Sequence, residues 1–184
     1  MSADAQDAVR RAVRIAVDLG SVRVGVAASD PDGILATPVE TVPRDLGPAA
    51  ADLVRLAQIV AERQAGVVYL GLPRHLSGKE GSASAGVRTY GEALARAVAP
   101  VPVRLVDERM STVSAQRSLR SAGRSGRSHR EVIDQAAAVV ILQAALDGER
   151  SSGRRWGTLI ETDTRADGTG QNVRGGETGQ ETAE

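Results

Sequence analysis

The chain has no cysteine, so disulfides, thiolate metal sites and a cysteine nucleophile are excluded. It has no phenylalanine, only two tyrosines and one tryptophan, and 2% aromatic residues in all. The core must therefore be built from Val, Leu, Ile and Ala. Recognition of nucleic acid mainly by stacking bases on aromatic rings is correspondingly disfavoured. The two histidines, His75 and His129, lie far apart and show no zinc spacing. No apolar run approaches the roughly 18 residues of a membrane span. The N-terminus, MSADAQDAVRRAV, lacks the long apolar segment of a secretory signal. A soluble, cytoplasmic protein without membrane contact is the expectation.

Lysine is also scarce: Lys79 is the only one, and positive charge comes almost wholly from arginine. Net charge is zero, yet from Arg104 to Arg130 there are seven arginines against two acids, Asp107 and Glu108. Arginine's planar fork suits phosphate better than lysine's point charge. A solvated basic face gives the same pattern without any binding.

What is present has a legible order. The 184 residues and their 41% hydrophobic content suit one globular domain with a real core. Residues 1–12 are polar and expected to fray. Alternation predicts a strand over 13–18, a second over 22–28 and a third over 34–42, joined by short turns into an antiparallel meander. Pro38 marks the third as an edge strand. A helical period spans 48–64 and Gly66 follows as its terminator. VVYLGLP (67–73) reads as a strand buried on both faces. A Gly-containing loop, RHLSGKEGSAS, leads to a helix near 85–98. A short strand at 102–106 runs directly into DERMST. Ser111 or Thr112 is placed to cap a helix reaching about residue 121. AGRSGRS (122–128) reads as loop, and 131–146 as a strongly apolar helix. From 151 to 184 seven of 34 residues are Gly, with few large apolar residues, and that tail is expected to be mostly disordered. The order βββαβαβαα predicts an α/β domain over 13–150, with a mixed five-stranded sheet flanked by helices.

Four acids are expected at one edge of that sheet. Asp18 falls at the carboxyl end of the first strand, and Asp107 and Glu108 at the carboxyl end of the last, where open α/β sheets build their sites. Asp134 lies early in the last helix, in register with Ala137, Ala138 and Ile141. Convergent carboxylates without His or Cys suit hard divalent cations, Mg²⁺ or Mn²⁺. Two such ions roughly 4 Å apart can activate water and stabilise the leaving oxygen of a phosphodiester. Singly, each acid has a plainer account. Asp18 can be a turn acid before Gly20, Asp107 can pair with Arg109, and Asp134 can favour a helix N-terminus. Gly71, Pro73, Gly78 and Gly81, with Lys79, form either a phosphate-approaching loop or an ordinary surface turn.

Four blocks in this order resemble the RuvX/YqgF family, nucleases of pre-16S rRNA long described as Holliday-junction-resolvase-like. They are VDLGSVRVGVAASD, GLPRHLSGKEG, VDERMSTVSAQ and IDQAAAVVILQAAL, and together they span about residues 13–149. The resemblance implies an RNase H-like fold and a metal-dependent nuclease that matures the 5′ end of pre-16S rRNA in the ribosomal precursor particle, as monomer or homodimer. Branched DNA is the alternative substrate. The family's active-site acids fall on Asp18, Glu108 and Asp134, with Asp107 as the alternative to Glu108. Its basic residues before the last helix correspond to Arg124, Arg127, His129 and Arg130; with Arg109 and Lys79, the arginines among them are the expected phosphate contacts. Two other classes remain. DLGSVRVGVA also resembles the phosphate loop of actin-like ATPases, although those need two lobes. A non-catalytic RNA-binding assembly factor would keep the fold.

Overall fold

The computed structural model describes residues 7–73, 82–107 and 127–161, with side chains from 84 in the second stretch and from 136 in the third. Strand β1 (Val13–Leu19) turns back into β2 (Arg23–Ser29) and then β3 (Ala36–Pro43), the expected meander. Helix α1 (Ala51–Glu62), strand β4 (Ala65–Leu72), helix α2 (Ser82–Ala97) and strand β5 (Val103–Asp107) follow. Helix α3 (Arg127–Ser152) and a two-residue strand β6 (Thr158–Leu159) complete the described elements. The sheet order is β3-β2-β1-β4-β5-β6. β4 and β5 run parallel to β1, whereas β2, β3 and β6 are antiparallel to their neighbours.

Strand period two divides the apolar residues into two layers. Ile15, Val17, Val68, Leu70, Val103 and Leu105 pack on the face covered by α1 and α2. Ala16, Ala27, Val67, Tyr69 and Val106 pack on the other face, against Ala138, Ile141, Leu142, Ala145 and Leu146 of α3. The alanines on both sides of this second layer let α3 lie close over β1 and β2. α3 is the longest described helix, yet none of the described helices is long and apolar enough to cross a membrane. β3 is an edge, as Pro38 requires, and its register slips between Val26 and Ala27, opposite Glu40 and Pro38.

The structure departs from the sequence reading in three places. The sheet has six strands rather than five, because β6 adds to β5. Packing continues past residue 150: α3 runs to Ser152, Trp156 joins the second layer, and Ile160 joins the first. Arg104 holds this segment by donating from Nε to the Trp156 carbonyl (2.8 Å) and from Nη2 to the Gly157 carbonyl (2.9 Å). The chain before β1 is tied down as well. Arg104 Nη1 donates to Asp7 (2.9 Å), and the Arg155 amide donates to the Asp7 carbonyl. The third departure is the start of α3, which takes Arg127 and Arg130 out of the expected loop and into the helix. The helix expected from 111 to 121 lies outside the described residues.

Beneath α3 lies a buried ionic cluster. Glu149 accepts from Arg14 Nε (3.0 Å), from Arg155 Nη1 (2.7 Å) and from the Tyr69 hydroxyl. Arg14 and Glu149 are only 3% and 4% exposed, so the pairing is what makes their burial tolerable. Burial and the facing Glu149 carboxylate push the Tyr69 hydroxyl pKa well up, which keeps it a donor.

Candidate active site

Asp18 is the next-to-last residue of β1, paired on one side to β2 and, through its neighbour Val17, on the other to β4. Its even-numbered neighbours fix its face: Ala16 packs under α3 and Arg14 pairs with Glu149 of α3. Asp18 therefore belongs to the α3 face, where it is 5% exposed. Across the ladder stands Gly25 of β2. On β4, one residue beyond the Val17–Leu70 pair, stands Gly71. Asp18 is thus flanked by a residue without a side chain on each side. That pairing of glycines was not anticipated as a site feature, although Gly25 and Gly71 each interrupt an apolar run.

The turn behind Asp18 is tight. The Gly20 amide donates to the Arg23 carbonyl (2.9 Å), and a Cβ at Gly20 would fall 2.6 Å from that same oxygen. Only glycine fits there.

β1, β4 and β5 are parallel and neighbouring, so their carboxyl ends share one edge. The β1 and β5 backbones are about 10 Å apart, two strand spacings of about 4.8 Å. Asp107 is the last residue of β5 and pairs with Leu72. It shares the parity of Val103 and Leu105, which face α1 and α2. Asp107 and Asp18 therefore stand at one edge but on opposite faces.

α3 crosses the face formed by β1, β2 and β3. Its Gln143 bonds Ala36 and Ile34 where β3 begins, and its Glu149 bonds Arg14 where β1 begins. From Glu149 back to Asp134 is about 22 Å of helix axis. From Arg14 to Asp18 is about 13 Å of strand. Asp134 lies three, four and seven residues before Ala137, Ala138 and Ile141, the buried stripe of α3. Its own side chain, and those of Arg127 and Arg130, are outside the described set. Glu108, Arg109, Arg124 and Lys79 lie wholly outside it, as do Gly78 and Gly81.

Among the described residues no group of three or more His, Asp or Glu could hold a metal ion. Two of the three expected acids do not contribute side chains to that count. The acids at hand are oxygen donors only, with no cysteine in the chain and no histidine among the residues whose side chains are described. That donor chemistry fits Mg²⁺ or Mn²⁺.

A mixed sheet in this order, with a buried acid on its central strand and a long helix over the same face, defines an RNase H-like fold. The likeness extends to T. thermophilus RuvC in complex with Holliday junction substrate. That structure matches with a TM-score of 0.52 and 12% identity, over 78% of this chain and 98% of the other. A family model described as "RuvX: Holliday junction resolvase" matches residues 12–148. A Streptomyces coelicolor protein named "Putative pre-16S rRNA nuclease" is 58% identical over 153 residues, 83% of this chain and 90% of the relative. A Rhodococcus opacus protein of the same name is 57% identical over 143 residues, 77% of this chain and 80% of the relative. The chain belongs to the RuvX family.

Proposed function

We propose that this chain is a metal-dependent nuclease that hydrolyses phosphodiester bonds of pre-16S rRNA, acting on the ribosomal precursor particle in the cytoplasm. The observation that carries the reading is the position of Asp18. It is a nearly buried carboxylate at the carboxyl edge of the central strand, with a glycine on either side and α3 across its face. The names of the relatives supply the substrate.

Asp18, Glu108 and Asp134 are the proposed ligands of Mg²⁺ or Mn²⁺. Asp107 belongs to the α1/α2 face, so strand alternation favours Glu108 over Asp107 as the partner of Asp18. Bound there, divalent ions would supply an activated water and charge stabilisation for the leaving oxygen. The chain's own part is preorganisation. Asp18 is held by a strand bonded on both sides, so its carboxylate needs little reordering when substrate arrives. Arg109, Arg124, Arg127, Arg130 and Lys79 are the proposed phosphate contacts, which position the strand without reading bases.

Branched DNA is the second reading, favoured by the family description. One experiment separates the two. Wild type and Asp18→Asn are incubated with a short pre-rRNA and with a four-way DNA junction, in Mg²⁺ or Mn²⁺. RNA cleavage by wild type, lost in Asp18→Asn, supports the proposal. Cleavage confined to the junction replaces it with the second reading. Cleavage of either substrate that survives Asp18→Asn removes Asp18 from the site.

A further inference from the structure

Sequence patterning gave no reason to single out Arg44, yet its side chain joins three elements. Its guanidinium carbon lies 4.6 Å from the centre of the Tyr90 ring of α2. Its Nε lies 3.4 Å from Oδ2 of Asp52 in α1, a carboxylate only 1% exposed. Tyr90 donates its hydroxyl to the same Oδ2 (3.2 Å). The third contact leaves this cluster: Nη1 donates to the carbonyl of Gly20 (3.2 Å). The Arg44 amide also donates to the carbonyl of Val22 (2.9 Å). One residue therefore grips both sides of the turn that follows Asp18.

An arginine serving only to neutralise Asp52 would present its fork to the carboxylate, with two parallel bonds. Arg44 does not. Its Nε approaches Asp52 without making a hydrogen bond, and it is a buried side-chain polar atom with no such partner among the described residues. Leaving a buried donor unsatisfied is costly. The guanidinium is instead oriented so that Nη1 reaches the turn. Asp52 and Tyr90 hold the cation, and the cation holds Gly20.

We propose that Arg44 is a positioning residue for Asp18, fixing the Gly20–Arg23 turn so that the carboxylate is presented in one orientation. This rests on the reading of Asp18 as a catalytic acid. Arg44 itself touches no substrate.

The test uses full-length wild type, Arg44→Met, Asp52→Asn and the double variant. Methionine keeps an unbranched chain over Tyr90, and asparagine removes the buried charge that Arg44 would otherwise leave unpaired. Three quantities are read: melting temperature, hydrogen exchange of the Gly20 amide, and kcat and KM for cleavage of a short pre-rRNA with Mn²⁺. Arg44→Met should lower the melting temperature, speed Gly20 exchange and cut kcat about 10- to 100-fold, the scale for a misplaced reacting group, with KM little changed. The double variant should recover melting temperature but neither Gly20 protection nor kcat. Asp52→Asn alone should melt lower yet keep Gly20 protection. If the double variant recovers all three, or Asp52→Asn loses Gly20 protection as fully as Arg44→Met, Arg44 is only a counter-charge and the proposal is overturned. If wild type cleaves neither RNA nor DNA, the nuclease reading fails by itself. Gly20 exchange then still decides whether Arg44 holds the turn.

Discussion

Trp156 lies flat against Gly148 of α3, its Cε3 only 2.6 Å from where a Cβ on that glycine would stand. The glycine is a notch cut for the indole. Gly148→Ala should gain about 1 kcal/mol of helix propensity. It should lose more by overpacking, about 1–3 kcal/mol, because three ring atoms crowd the new methyl. A net loss, seen as a lower urea midpoint, is the expected outcome. A higher midpoint would mean that the indole simply moves aside.

Glu149 is the one carboxylate shared by Arg14, Arg155 and the Tyr69 hydroxyl. Glu149→Ala strands two buried guanidinium groups. Breaking a buried pair from one side costs about 3–5 kcal/mol, a large share of a domain's stability. Arg155→Ala should cost less, since Arg14 still neutralises Glu149. Equal losses in chemical denaturation would show that the two arginines act as one unit.

Acid should loosen the segments that Asp30, Asp45 and Glu40 hold. The carboxylate of Asp30 accepts the amides of Leu35, Ile34 and Asp32, and that of Asp45 accepts Ala51 and Gly47; both pKa values are held below the ordinary 3.8. The Arg55 hydrogen bond likewise lowers Glu40 from 4.5. Each folded pKa is depressed, so the stabilisation is complete above the unfolded values. It is lost as pH falls through the lower folded ones. Denaturation midpoints should hold steady down to about pH 5 and fall below about pH 4. Asp30→Asn and Asp45→Asn should each show a shallower fall, and a fall as steep as that of wild type would place the acid-sensitive groups elsewhere.

Replacing Arg124, Arg127 and Arg130 together with Ala should weaken RNA binding about equally for different sequences. The log–log salt dependence should flatten by roughly 1–2 units, at about 0.7 per single-strand phosphate lost. Titrating binding across a salt series checks this. An unchanged slope returns these arginines to a solvated surface.

The strands and helices that repeat a period were readable from sequence. β1 to β5 announce themselves by alternation or by short valine-rich runs, and α1 and α3 by their apolar spacing. Parity also decided the face of Asp107 once Val103 and Leu105 were counted with it. Residues 153–161 were not readable, because their order comes from partners far away in sequence. Trp156 needs Gly148, Ile160 packs over Gly91, and the 156–157 carbonyls need Arg104. Composition counts apolar residues and cannot see such long-range contacts. The position of Asp18 was legible as a carboxylate ending a strand. The glycines beside it became meaningful only with the register of three strands in hand. Arg44 carried no signal, since one arginine after an edge strand looks like any surface cation.

The single tryptophan of this chain is the residue docked on Gly148, and both tyrosines are bound to buried carboxylates, Tyr69 to Glu149 and Tyr90 to Asp52. The protein thus carries a built-in optical reporter whose address is known. Selectively excited indole emission comes from the junction of α3 and the segment after it. A red shift would signal detachment of that segment. The indole emission therefore follows this junction while cleavage is read from the substrate, so unfolding and turnover can be followed as separate signals in one cuvette.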